Sequence, residues 1–91
     1  MDIVFKKSAF LHKLSEADIR YAFMNPHYDG IIEDTDSDNR YLRIGFDRSG
    51  NLLEILYNEY ETHVCIFHAM KCRNIFFHLL EDLGENYENY D

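Results

Sequence analysis

Residues 40–73 read RYLRIGFDRSGNLLEILYNEYETHVCIFHAMKCR, and this stretch decides the fold. Leu42, Ile44 and Phe46 alternate with Tyr41, Arg43 and Gly45. A period of two is the mark of a strand with one buried face. Asp47-Arg48-Ser49-Gly50-Asn51 follows, a polar cluster with a glycine available for positive φ. Leu52 to Asn58, rich in branched and aromatic residues, reads as a second strand. Glu59-Tyr60-Glu61 is a second short connection, and Thr62 to Ala69 a third strand. Parallel neighbours need a crossover of a dozen or more residues, so two short connections predict an antiparallel meander. The segment HAMKCR then steps into a helix.

Outward from this meander, Tyr28 to Asp34 reads as a further sheet strand and Asp2 to Phe5 as a short edge strand. Lys6 to His12 has helical composition but is short. A better specified helix starts at Ser15, an N-cap residue with Asp18 three positions later and Leu14 and Ile19 at the staple positions. Asn25-Pro26 ends it, because the residue before proline is pushed out of the α region. A last helix is predicted from about Lys71 to Leu83, with Cys72, Ile75, Phe76, Leu79 and Leu83 on one face and Gly84 as its C′ residue. The expected fold class is α+β: two N-terminal helices, a twisted antiparallel sheet of about four strands, and a C-terminal helix packed on the sheet. One domain over residues 1–84 and an acidic disordered tail over 85–91 complete the expected organisation.

A chain of 91 residues with seven phenylalanines and seven tyrosines supports one modest core. Two cysteines without a secreted-type framework fit a reduced compartment. No stretch approaches the ~20 apolar residues of a membrane span. The expectation is a soluble cytoplasmic protein.

The net charge of −8 speaks against binding long duplex nucleic acid, which calls for a wide basic face. The acid is unevenly spread, however. Glu33, Asp34, Asp36 and Asp38 crowd one loop, and residues 74–91 hold five acids and no base. Residues 39–73 carry Arg40, Arg43, Arg48, Lys71 and Arg73 against four acids. Local potential decides whether a phosphate can approach.

Three constellations bear on chemistry. His12, Lys13, Arg40, Arg43, His68, Lys71 and Arg73 form a basic, imidazole-rich set. Metal-independent RNA cleavage needs a base for the 2′-hydroxyl, an acid for the leaving oxygen, and cations for the charge on the phosphorus centre. Histidine serves either proton role near neutral pH, and arginine's planar fork suits phosphate. Strand alternation aims His68 at the same side as Ile66, and Arg43 at a solvated outer face. His63, Cys65, His68 and Cys72 are zinc-ligand types, but His68 differs in parity from His63 and Cys65, so the set converges only through a bulge. Tyr41, Tyr57, Tyr60 and Phe67 are rings able to stack on bases, and equally suited to cross-strand packing. The acidic loop from Thr35 to Asn39 lacks the glycine and terminal glutamate of a calcium loop.

From Phe5 to Leu83 the chain resembles the BrnT-type toxins, small RelE-like ribonucleases of bacterial type II toxin–antitoxin systems. AFLHKLS (residues 9–15) is similar to the family's His-Gly-hydrophobic-Ser turn, with Lys13 in the glycine's place. RYLRIG (40–45) and DRSGNLL (47–53) resemble its Arg-Phe-x-x-x-Gly strand and Gly-Arg-x-Leu turn. IFHAMKCR (66–73) resembles its Ile-Ile-Ser-Ala-Arg segment, with His68 for serine and the arginine four positions after Ala69. The resemblance implies an RNA substrate, no cofactor, a cognate antitoxin protein encoded by a neighbouring gene, and assembly as a homodimer or a toxin–antitoxin hetero-oligomer. His12, His68 and Arg73 are the expected catalytic residues. Arg40, Arg43, Lys71 and Lys13 are the expected phosphate-binding ones, and no metal is expected. The competing expectation is a non-catalytic protein-interaction module on the same scaffold.

Overall fold

A computed structural model of the chain describes residues 1–34 and 39–80. The five strands are β1 (Asp2–Phe5), β2 (Pro26–Asp34), β3 (Asn39–Phe46), β4 (Leu52–Glu59) and β5 (His63–Lys71). They form one sheet in the order β1-β5-β4-β3-β2. The meander expected over 40–71 is present, with β3–β4 and β4–β5 antiparallel. β2 extends it antiparallel to β3, while β1 pairs parallel with β5, from Asp2 opposite His63 to Phe5 opposite Ile66.

The expected α+β arrangement is corrected in three respects. The sheet has five strands and is mixed, because β1 adds in parallel at the β5 edge. Only one α-helix is present among the described residues, α1 (Glu16–Met24), since Lys7–Phe10 closes as a 3₁₀ helix. Four residues between a strand and a turn cannot repay helix nucleation. Among the described residues the expected C-terminal α-helix is a 3₁₀ helix over Asn74–Leu79, which begins only after β5 has paired out to Lys71. Tighter winding brings positions i and i+3 into line. Phe76 and Leu79 therefore pack inward, while Ile75, assigned to the packed face of an α-helix, is 62% exposed. Leu83, Gly84 and the tail at 85–91 lie outside the described residues, as does most of the 35–39 loop.

α1 starts as its sequence dictates. The Ser15 side chain accepts from the Asp18 backbone N–H at 3.1 Å, and Asn25 ends the helix. Its Ile19, Ala22 and Phe23 bury against Leu53, Ile55 and Tyr57 of β4 and Val64, Ile66 and Ala69 of β5. The helix approaches β3 at Gly45, where any Cβ would run into the carbonyl oxygen of Ala22. The other face of the sheet is covered too: Leu42 and Ile44 pack with Leu80, Leu52, Leu56, Cys72, Phe76 and Leu79. Both sheet faces thus carry a core, which overturns the single buried face that β3's alternation implied.

The DRSGN turn is locked by Asp47. Its Oδ1 accepts from Ser49 N at 2.9 Å and from Asn51 N at 2.8 Å, and Gly50 takes φ 84°. Burial opposes ionisation of Asp47, but these donors outweigh it and lower the carboxyl's pKa. Among the described residues no helix is long and apolar enough to cross a membrane.

Candidate functional site

The side chain that organises the site is Glu54, in the apolar run LLEIL of β4 and 0% exposed. It shares a face with Ile44, its partner on β3. A buried carboxylate must be paired and hydrogen-bonded. Arg73, which precedes the C-terminal 3₁₀ helix, supplies most of this. Its backbone N–H donates to Oε1 at 2.9 Å, its Nε to Oε1 at 3.0 Å, and its Nη2 to Oε2 at 2.7 Å. The fork-on-fork contact uses Nε and Nη2 and leaves Nη1 outside the pair, on a side chain that is 48% exposed.

His68 completes the set, with Nε2 at 2.9 Å from Glu54 Oε2. An ionised carboxylate only accepts, so Nε2 carries the hydrogen, and in the neutral imidazole the lone pair is then on Nδ1. His68 gets there through a β-bulge. Leu56 pairs with His68 and Tyr57 with Ile66, so Phe67 is an extra residue on β5. The bulge turns His68 away from the Ile66 side, where simple alternation had placed it, onto the Glu54 side. It is fixed from outside by Ser8, whose hydroxyl donates to the Phe67 carbonyl.

His12 follows the first 3₁₀ helix. Its exposed ring stands edge-on to His68 with centroids 5.6 Å apart. Next to it, Lys13 adopts φ 64°. That left-handed conformation costs a side-chain-bearing residue about 1–2 kcal/mol and is the one glycine takes freely.

Burial is the largest influence on Glu54 and opposes its charge. Arg73's side-chain and backbone hydrogen bonds, with His68's, outweigh it and lower the carboxyl's pKa. The same hydrogen bonding to Glu54 raises Arg73. Burial, assisted by the Glu54 charge, pushes the Cys72 thiol up to about 11, so it is not a nucleophile at neutral pH.

The fold thus gathers His68 and Arg73 on one carboxylate, with His12 standing against His68. Arg40 lies on the same sheet face, that of Leu42 and Ile44, with its guanidinium carbon 5.8 Å from the Phe67 ring centroid. Arg43 does not join them. It lies beneath α1 on the opposite face, where Nη1 donates to the Phe23 carbonyl at 2.9 Å and Nη2 to Tyr57 Oη at 3.2 Å. Its carbon sits 4.0 Å from the Phe23 ring centroid. Tyr57 in turn donates to Asp29 Oδ1 at 2.6 Å, and burial followed by this bond raises its pKa. Arg43 is a structural tie between α1 and the sheet, and the solvated outer position expected for it is corrected. Lys71 pairs with Leu53, and its parity puts it on the α1 face, away from Glu54.

The bulge does bring His68 to the Cys65 side, yet no three His, Cys, Asp or Glu residues gather to hold a metal among the described residues. Glu54 is the residue that motif reasoning passed over. Its signal was an acid at the centre of LLEIL, where a strand has no room for an unpaired charge. No family model matches the chain, and no curated protein matches it either.

Proposed function

We propose that this chain is a metal-independent endoribonuclease of the BrnT toxin type. It acts on mRNA in the cytoplasm and is restrained by an antitoxin protein. The observation that carries the reading is the single buried carboxylate of Glu54, which holds both His68 and Arg73 while His12 stands against His68. These are the parts that transesterification of RNA requires. His68 Nδ1 accepts the 2′-hydroxyl proton as the 2′-oxygen bonds to phosphorus. The imidazolium charge so formed faces Glu54. His12, entering protonated, gives its proton to the 5′-oxygen as the P–O5′ bond breaks. Arg73 Nη1 donates to a non-bridging oxygen as negative charge builds there. The products are a 2′,3′-cyclic phosphate and a free 5′-hydroxyl.

The test is incubation of the purified protein with single-stranded RNA in excess EDTA. Cleavage to cyclic-phosphate ends is expected, with 2′-O-methyl RNA left intact. His12→Ala and His68→Gln should each slow cleavage by roughly 10²-fold or more without loss of fold. Intact RNA with a folded, antitoxin-free sample overturns the reading. One observation favours an interaction module instead: Ile75 and Phe77, beside Arg73, are 62% and 47% exposed. If RNA stays intact while Ile75→Asp abolishes antitoxin binding, that second reading takes its place.

A further inference from the structure

We propose that Phe67 is a stacking platform for the nucleobase next to the scissile phosphate, and that it confines the substrate to single-stranded RNA. This rests on the ribonuclease reading and deepens it. Of the four rings with base-stacking chemistry, three are placed elsewhere. Tyr57 is fully buried beneath α1, and Tyr41 is stacked on it at 5.4 Å between centroids on that same face. Tyr60 lies beyond the end of β4, stacked on His63 at 4.8 Å. Of these four, Phe67 is the one adjoining the catalytic set, as the residue before His68; Phe76, 5.5 Å from the Arg73 guanidinium carbon, instead packs into the Leu42–Ile44 core.

Its position follows from the bulge. In a regular strand, consecutive side chains point to opposite faces. As the extra residue in the β4–β5 ladder, Phe67 is released from that rule. Its ring is within 5.8 Å of the Arg40 guanidinium, which comes from the Leu42–Ile44 face. His68 lies on that face too, opposite Leu56. The bulge thus puts the phenyl-bearing residue immediately before His68, with its ring reached by Arg40 from the face that carries Glu54. The ring is half-buried, and the Ser8 bond to its carbonyl holds the backbone beneath it. A phenyl ring beside a proton-transfer group and an arginine provides what a single strand offers in turn: a base face, a reacting phosphate and a neighbouring phosphate. Bases in a duplex are already stacked on each other and cannot lie on Phe67.

The probe is an oligoribonucleotide with a 2′-deoxy residue at the cleavage position and the fluorescent base 2-aminopurine beside it. Wild-type protein should quench the fluorescence on binding. Phe67→Leu should bind about tenfold or more weakly and lose the quench, the scale expected for one lost base stack. Phe67→Trp should retain both. On the cleavable strand, Phe67→Leu should raise KM, whereas His68→Gln should lower kcat and keep the quench. Duplex RNA should be a poor substrate. If Phe67→Leu fails to fold, the wild-type quench and the Phe67→Trp variant decide. Cleavage by wild type with no quench, or with KM unchanged in a folded Phe67→Leu, overturns the platform and leaves the ribonuclease reading standing. Neither binding nor cleavage by wild type overturns both.

Discussion

Glu54 has no water to solvate it, so its charge survives only because Arg73 and His68 meet both oxygens. Glu54→Gln removes the charge and turns an amide toward donors. The loss should be about 2–3 kcal/mol, below the usual figure for breaking a buried pair because half of the Arg73 side chain is already in water. The variant also tests pH linkage. The folded carboxyl titrates below its ordinary value of 4.5, so the unfolded chain binds the proton first on acidification. The stability Glu54 contributes is fully present above about 4.5 and is lost as pH falls through the lower folded value. Denaturant midpoints followed from pH 7 to pH 3 should fall less steeply for Glu54→Gln than for wild type. Equal slopes mean that Glu54 is not the group linked to acid unfolding. That His68 and Arg73 lie near one another was legible from their order in the sequence. Glu54 was legible only as an anomaly, and its role needed the register of β3, β4 and β5.

Among the elements, local signals marked most boundaries and missed what depends on distant partners. The meander, the Ser15 cap and the Asn25-Pro26 stop come from neighbours in sequence, and the structure keeps them. The parallel pairing of β1 with β5 joins residues about sixty positions apart, and nothing in DIVF encodes it. The bulge at Phe67 was equally hidden. It depends on Ser8 and on the ladder with β4, and it moves His68 to the other face. The 3₁₀ winding of Asn74–Leu79 defeats a 3.6-residue pattern for the same kind of reason, since pairing of β5 sets where it begins. Gly45 shows how tightly one such contact is made. A methyl group there meets the backbone oxygens of Ala22 and Asn25, and neither is free to swing aside. Gly45→Ala should therefore push α1 from β3 and destabilise by about 1–3 kcal/mol, the range for overpacking. Chemical denaturation measures it. An unchanged midpoint means that α1 is not seated against β3 as described.

At the scale of the whole molecule, a net charge of −8 coexists with a local set of cations on one face of the sheet. Arg40 and Arg73 lie there, with Lys13 beside His12 at the edge. Arg43 and Lys71 are on the other face, so the cations that can meet a strand are fewer than the sequence suggested. This has a measurable consequence. Each phosphate neutralised on a single strand releases condensed counterions and steepens the dependence of affinity on salt by about 0.7 in a log–log plot. Three contacts predict a slope of about −2, shallower than the slope of a protein with a broad basic face. The measurement is titration of the 2′-deoxy-substituted oligonucleotide at salt concentrations from 50 to 300 mM. Arg40→Ala should weaken binding and reduce the slope by about 0.7, while Lys71→Ala, on the far face, should leave the slope unchanged. A slope near zero removes phosphate contact from the site. A slope much steeper than about −3 means that RNA follows a surface other than the row from Arg40 to Arg73.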